Sequence, residues 1–230
     1  MSAVDTPATT LSKMVALALK PLLIEVQAHL KDTSAFVSKI TSCVLPISND
    51  QEYFWGSLDV SNLYGSIPLS GDNNVYDVAA KFFEIHKAKT DLKDLSKAHF
   101  VRLLKLIIDS DITIIKNEPF QQIRGLAMGN NLSPLLAIIY MDFIERQIIS
   151  HFKNEILMWV RYIDDIFIIS TTPLSLILDK CNIIDKNIKF TCELPTASGD
   201  IPFLDTLVHF KNQSLNIFTL QQIILNIYIT

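Results

Sequence analysis

Two adjacent carboxylates, Asp164 and Asp165, sit in the heptapeptide RYIDDIF, residues 161–167. Met158-Trp159-Val160 precedes them and Ile166-Phe167-Ile168-Ile169 follows. Both flanks are β-branched and aromatic, the composition of buried strands. Two residues between two strands is hairpin spacing, yet the favoured two-residue turns carry Gly or Asn, and Asp164-Asp165 has neither. Carboxylates crowded at such a tip raise each other's pKa unless positive charge intervenes. A fully wet surface turn would tolerate the pair, but the long apolar flanks draw the tip toward a core. There, a divalent cation is the compensation that fits.

A third carboxylate, Asp59, closes the apolar run EYFWGSLDV at 52–60, and Tyr64 follows within SNLYGSIP. Alone, an Asp after a strand reads as a turn former. If the two strand ends meet, Asp59, Asp164 and Asp165 make an all-oxygen cluster suited to Mg²⁺. Two such ions about 3.5–4 Å apart would activate an attacking hydroxyl and stabilise a leaving oxygen in phosphoryl transfer. A further segment, GLAMGNNLSPLLAIIYMDFIE at 125–145, has Gly125 and Gly129 where the backbone can approach closely or take positive φ. Ser133 is expected to cap, and Pro134 to open, a helix apolar nearly all round. Taken alone, this segment reads as a core helix with a well-formed entrance. The functional reading is a glycine platform under a ligand's backbone or base.

The elements that must position these residues follow from periodicity. Residues 11–31 have helical spacing with a break expected at Pro21, and a short helix follows Asp32 or Thr33 as cap. VLPISNDQ reads as a loop. Helices are expected over 75–89, 95–109 and 173–187, and a hairpin in DITIIKNEPFQQIRG with Asn117-Glu118 near its turn. IKFTCEL, IPFLDTLVHF and SLNIFTL read as three strands, the first two separated by the turn TASGD. Helices between strands, then a run of strands, indicate a mixed α/β or α+β domain.

Bulk composition narrows the classes. The chain has 230 residues, 49% apolar, enough for one large domain or a domain with an appendage, and not a disordered composition. No apolar run approaches membrane-spanning length, and the N-terminal MSAVDTPATT has no secretory pattern. An intracellular protein, nuclear or cytoplasmic, is expected. Cys43, Cys181 and Cys192 are widely spaced and suit neither a disulfide framework nor a zinc site. The net charge of −4 is unlike the basic surface of most nucleic-acid binders. An acidic metal site with local basic stripes is compatible with it.

Together the motifs resemble a known family. YIDD between apolar strands resembles the Tyr-x-Asp-Asp box of reverse transcriptases; SLDVSNLYGSIP resembles their first catalytic strand, and GLAMGNNLSP their glycine loop and helix. More narrowly, RYIDDIF, DVSNLYGSIP, MGNNLSP and IKFTCELPTASGDIPFLD resemble the reverse transcriptase of Penelope-like retroelements, over roughly residues 10–212. Four motifs in order are far more specific than any one.

The resemblance implies an α+β fold: a right-hand polymerase palm with a ferredoxin-like ββαβ core, an antiparallel sheet backed by helices. It implies a helical segment at 1–50, a remnant of fingers or connection, and a palm at 51–230, with thumb and endonuclease absent. It further implies an RNA-directed DNA polymerase that uses an RNA template, a DNA primer and deoxynucleoside triphosphates, with two Mg²⁺ ions for which Mn²⁺ could substitute. Carried over by position, Asp59 and Asp164 would be the principal metal ligands and Asp165 an accessory carboxylate. Tyr64 would lie beneath the incoming sugar, where an aromatic ring excludes a 2′-OH. Gly125 would belong to the glycine loop; Met128, Gly129 and Asn130 would line the nucleotide and template platform. Tyr162 would help position the primer and Lys189 would sit near the leaving pyrophosphate, although a solvated strand lysine reads as well. PFLD would matter for the fold near the primer grip, although Asp205 reads as well as a turn or strand-end residue. There are departures too. Gly65 stands where the family has Thr, and Asn130-Asn131 where it has Ser-Pro. TLQQI at 219–223 lacks the family's basic pair, and basic fingers segments do not precede residue 10. A truncated, catalytically inactive palm relic that binds nucleic acid or a partner is therefore the alternative.

Overall fold

The computed structural model describes residues 7–45, 51–116, 118–211 and 214–219. In chain order the elements are helix α1 (Pro7–Leu19), a 3-10 turn (Lys20–Glu25), α2 (Thr33–Thr41), strand β1 (Phe54–Ser61), α3 (Leu63–Ser66), α4 (Val75–His86), a 3-10 turn (Lys87–Lys89) and α5 (Lys97–Asp109). Then come β2 (Ile112–Ile115), β3 (Glu118–Gln121), α6 (Ser133–His151), β4 (Ile156–Tyr162), β5 (Asp165–Ser170), α7 (Leu174–Ile184), β6 (Lys189–Glu193), β7 (Asp200–Phe203), β8 (Thr206–Lys211) and β9 (Ser214–Thr219). The chain divides into two compact units, Met1–Gln27 with Asn62–Glu145, and Ala28–Ser61 with Arg146–Thr230.

The first unit is mainly helical. Pro21 ends α1 as expected: it cannot donate the next helical hydrogen bond, and the chain tightens into the 3-10 turn. Ser96 and Asn74 cap α5 and α4 through their side chains. Phe83 of α4 stacks on Phe100 of α5 with ring centroids 4.0 Å apart. The expected hairpin is β2–β3, an antiparallel pair, although Asn117 of its expected turn lies outside the described residues. Residues 46–50 of VLPISNDQ and 220–223 of TLQQI also lie outside them.

The second unit carries an antiparallel sheet in the order β4-β5-β1-β6 and a second sheet β7-β8-β9. β1 alternates strictly. Gly56, Leu58 and Val60 are buried on one face, while Ser57, Asp59 and Ser61 point to the other. Gly56 is required because a Cβ there would lie 2.7 Å from Leu174 of α7 and 2.8 Å from the carbonyl oxygen of Glu193. On the Asp59 face, Val160, Phe167 and Ile169 join Phe36 and Ile40 of α2 and Ile201, Phe203 and Val208 of β7–β8 in one apolar cluster. Phe36 is its centre, with ring centroids 5.2 Å from Phe167 and 4.6 Å from Phe203. Asp32 caps α2 by accepting from the Ala35 amide at 2.8 Å, so of the two expected caps Asp32 serves. A Phe36→Ala variant is expected to lose about 3–5 kcal/mol of stability, read as a lower urea midpoint with unchanged slope.

Three expectations need correction. IPFLDTLVHF is two strands, folded back at Leu204-Asp205 with Phe203 paired to Thr206. Leu204 takes φ 51°, and the Asp205 carboxylate accepts a hydrogen bond from the Thr33 hydroxyl at 3.2 Å; Asp205 is a turn residue. β1 does not end at Asp59 but runs through it to Ser61. Ser133 does not cap α6: it is the first helical residue and its hydroxyl is buried without a partner. Just ahead of the helix the Asn130 Oδ1 accepts from the Leu132 amide at 2.9 Å, a local turn rather than a cap. Among the described residues no helix is long and apolar enough to cross a membrane.

Candidate active site

The hairpin β4–β5 pairs Tyr162 with Asp165. Its two-residue tip is therefore Ile163-Asp164, one position earlier than the Asp164-Asp165 expected from sequence, and Asp165 begins β5. Positive φ falls on Ile163 (56°) and not on Asp164, the pattern of a type II′ turn, which normally puts Gly first. A β-branched residue in that region is an outlier, costing about 1–2 kcal/mol. Register explains why this is tolerated. A slip of one residue would move every side chain of β5 to the opposite face, turning Phe167 and Ile169 out of the apolar cluster.

That register places a row of side chains across all four strands. Asp165 pairs with Tyr162 on one side and with Asp59 on the other, and Asp59 pairs with Thr191 of β6. Directly opposed residues lie about 4.5–5.5 Å apart at Cα and share a face. Asp59 and Asp165 thus stand side by side at one end of the sheet. Asp164 is tied to the same corner, because its carbonyl oxygen accepts from the Val60 amide at 3.2 Å. Lys189 pairs with Ser61, on the same face two residues along β1 from Asp59, and is exposed. Tyr162 is half-buried against the apolar cluster, which fixes its ring beside the row.

The electrostatics of the corner are unfavourable to anions. Partial desolvation, then the charges of Asp164 and Asp59, hold the Asp165 carboxyl above the ordinary carboxylate value. No hydrogen bond or ion pair joins any of the three carboxylates to another described side chain. Among the described residues no three His, Cys, Asp or Glu side chains already stand as a metal cage. What the register provides is adjacency of oxygen donors and uncompensated negative charge, a donor set whose chemistry fits a hard divalent cation.

Sequence reasoning did not single out Arg161. It is completely buried, and its guanidinium donates to the Ile163 carbonyl at 2.9 Å. The available signal was a lone cation inside an otherwise apolar strand, which must have partners. Its backbone is clamped by Ala28 and Leu30, each at 2.7 Å, so that segment lines the β4 edge. His29 between them is neutral: burial, then the charges of Arg161 and Lys39, lower its pKa to about 4.

The remaining predicted residues lie in the first unit. Tyr64 is half-buried in α3, and its carbonyl accepts from the Leu126 amide at 2.8 Å. Gly125 has φ +74°, and a Cβ there would sit 2.6 Å from that same carbonyl oxygen and 2.7 Å from Gly65 Cα. The Tyr64 segment and the glycine loop, separate in sequence, are therefore one contact. Gly65 is part of this contact through its Cα, while a Cβ on Gly65 itself would meet the Asn62 side chain at 2.6 Å. Met128 is 75% exposed and Gly129 has φ +102°. Asn130 is engaged by the fold: Oδ1 accepts from the Ser12 hydroxyl at 2.5 Å and Nδ2 donates to Asp111 at 2.8 Å. Burial raises the Asp111 pKa, and the Asn130 bond partly offsets this.

Comparison with known proteins decides the family. The sequence model for reverse transcriptase (RNA-dependent DNA polymerase) matches residues 2–191. The chain belongs to the reverse transcriptase family. A search of curated proteins finds no match. Among solved structures, telomerase from Candida albicans in complex with a TWJ fragment of telomeric RNA superposes with TM-score 0.62 at 15% identity, covering 91% of this chain and 38% of that one. Candida tropicalis telomerase in the corresponding complex gives 0.63 at 14%, covering 91% and 37%. Its apo form truncated from the C-terminal domain gives 0.60 at 14%, covering 91% and 44%. This reverse transcriptase domain therefore has the palm-like fold of those enzymes and spans less than half their length.

Proposed function

We propose that this reverse transcriptase domain carries the polymerase centre of a retroelement of the Penelope-like kind, extending a DNA primer on an RNA template with deoxynucleoside triphosphates. The observation that supports it is the Asp59–Asp165 register pair with Asp164 tied beside it. Asp59 and Asp164 would hold divalent metal, with Asp165 as the accessory carboxylate. Bound there, two Mg²⁺ ions, or Mn²⁺ in their place, would activate the primer 3′-OH and stabilise the leaving pyrophosphate. Lys189, on the same face, would neutralise phosphate charge. Tyr162 would support the primer end. Tyr64, Gly125, Met128 and Gly129 would present the nucleotide and template surface, with Asn130 holding the loop in place. The Candida albicans telomerase of similar fold was solved with a TWJ fragment of telomeric RNA, which supports RNA as a ligand class for this reading.

The test is deoxynucleotide incorporation on poly(rA)/oligo(dT) with Mg²⁺ or Mn²⁺. Incorporation that depends on Asp59 and Asp164 supports the reading; none with either metal rejects it. The second reading is a palm that binds nucleic acid or a partner without catalysis. Primer–template binding without incorporation would establish it. A Tyr64→Val variant is expected to raise ribonucleotide over deoxynucleotide use at least about tenfold, as removing a steric block should. The ratio of the two kcat/KM values reads it.

A further inference from the structure

We propose that Arg161 is a positioning residue that holds the strained Ile163-Asp164 tip and so sets where the Asp164 carboxylate stands; this rests on the polymerase reading above. Arg161 is in the penultimate turn-side position of β4, fully buried, two residues before the tip. Its guanidinium donates to the Ile163 carbonyl at 2.9 Å. That carbonyl belongs to the peptide plane joining Ile163 to Asp164. The next carbonyl, that of Asp164, is bound by the Val60 amide at 3.2 Å. The peptide planes on both sides of the Asp164 Cα are therefore fixed, one by a buried cation and one by β1, which carries Asp59.

The arrangement explains two otherwise unfavourable choices. Ile163 at φ 56° is a backbone conformation that a β-branched residue holds only when its surroundings over-determine it. A completely buried guanidinium is costly unless its donors are used. Each makes the other tolerable. Arg161 cannot drift, because its own amide and carbonyl are bonded to Ala28 and Leu30 at 2.7 Å. A planar, multi-donor guanidinium can satisfy a backbone carbonyl and other partners at once, which a lysine ammonium on a flexible stem does less well.

The test uses Arg161→Met, Arg161→Lys, Ile163→Gly and the Arg161→Met/Ile163→Gly double variant. Three readouts apply: hydrogen exchange of the peptide spanning 158–168, thermal midpoint, and steady-state incorporation. Removing the guanidinium should speed exchange at the tip about tenfold or more while peptides of β7 and β8 keep their protection. It should lower kcat at least about tenfold, with the deoxynucleotide KM within about twofold, since small misplacement of a reacting group acts on turnover. Glycine at 163 relieves the strain, so the double variant should recover tip protection and most of kcat. Unchanged tip exchange in Arg161→Met, or no recovery in the double variant, overturns the proposal. If Arg161→Met loses protection throughout the unit, Arg161→Lys decides: local acceleration confined to the tip supports positioning, and wild-type exchange overturns it. Exchange needs no activity, so a chain that fails to polymerise still shows whether Arg161 holds the tip.

Discussion

Replacing Asp165 with Asn is expected to reduce nucleotide incorporation by at least about 10²-fold, the scale on which removal of one electrostatic group at a reacting centre acts, while raising the thermal midpoint at neutral pH. The two effects have one cause. Asp165 faces Asp59 directly across the β1–β5 ladder, with Asp164 adjacent in the chain. Desolvation and these two charges raise its pKa. A carboxyl whose folded pKa lies above its unfolded value binds its proton more tightly in the native state. Its stabilising contribution is fully present below the unfolded pKa, about 3.9, and is lost as pH rises through the folded value. At neutral pH the ionised form opposes folding, and Asn removes that opposition. Stability measured against pH should therefore fall between those two pKa values in the wild type, and this component of the fall should be absent in Asp165→Asn. Millimolar Mg²⁺ should raise the wild-type midpoint and raise that of Asp59→Asn or Asp165→Asn less. A variant that keeps full incorporation, or that loses stability at neutral pH, would show that the row is not an electrostatically frustrated centre.

The second large effect is expected at Gly125. Alanine there adds a Cβ 2.6 Å from the Tyr64 carbonyl oxygen and 2.7 Å from Gly65 Cα, both backbone atoms with no rotamer to escape into. It must also hold φ +74°, where an L side chain is strained. Strain and overpacking together should cost about 3 kcal/mol. The Leu126 amide to Tyr64 carbonyl bond would be lost or stretched as the loop retreats. Urea unfolding of Gly125→Ala gives the stability change, and the ribonucleotide discrimination assay shows whether Tyr64 has moved. A Gly71→Ala variant is the control: φ there is also positive, +81°, but no atom lies within 4 Å of the added Cβ. It should lose about 1–2 kcal/mol from strain alone. Equal losses at the two positions would mean that the contact with Tyr64 contributes nothing.

Much of this was legible in the chain because it depends on local rules. The break after α1 follows from Pro21, which has no amide hydrogen to donate. The cap of α2 follows from Asp32, and the buried strands β4 and β5 from their β-branched runs. The acidic row was foreseeable because like charges between apolar strands require compensation. Apart from the Ser133 cap, what was misplaced was misplaced by strand pairing. The hairpin tip moved one residue, to Ile163-Asp164, because strand pairing must put Phe167 and Ile169 on the face that α2 and β7–β8 cover. That preference outweighs the local preference for Gly in a tight turn. The same logic folded IPFLDTLVHF at Leu204, a residue with no turn propensity.

By itself, then, the sequence determined which residues carry charge amid apolar neighbours, where helices stop and start, and the family the chain belongs to, since these rest on residue type and on separations within a few positions. Only the tertiary structure decided that Asp59 and Asp165 are direct partners, that Tyr64 and Gly125 share one backbone contact, and that Arg161 is buried beneath the tip. Each of these depends on a pairing between segments far apart in the chain, and such pairings are chosen by burial of whole faces rather than by the residues that happen to meet.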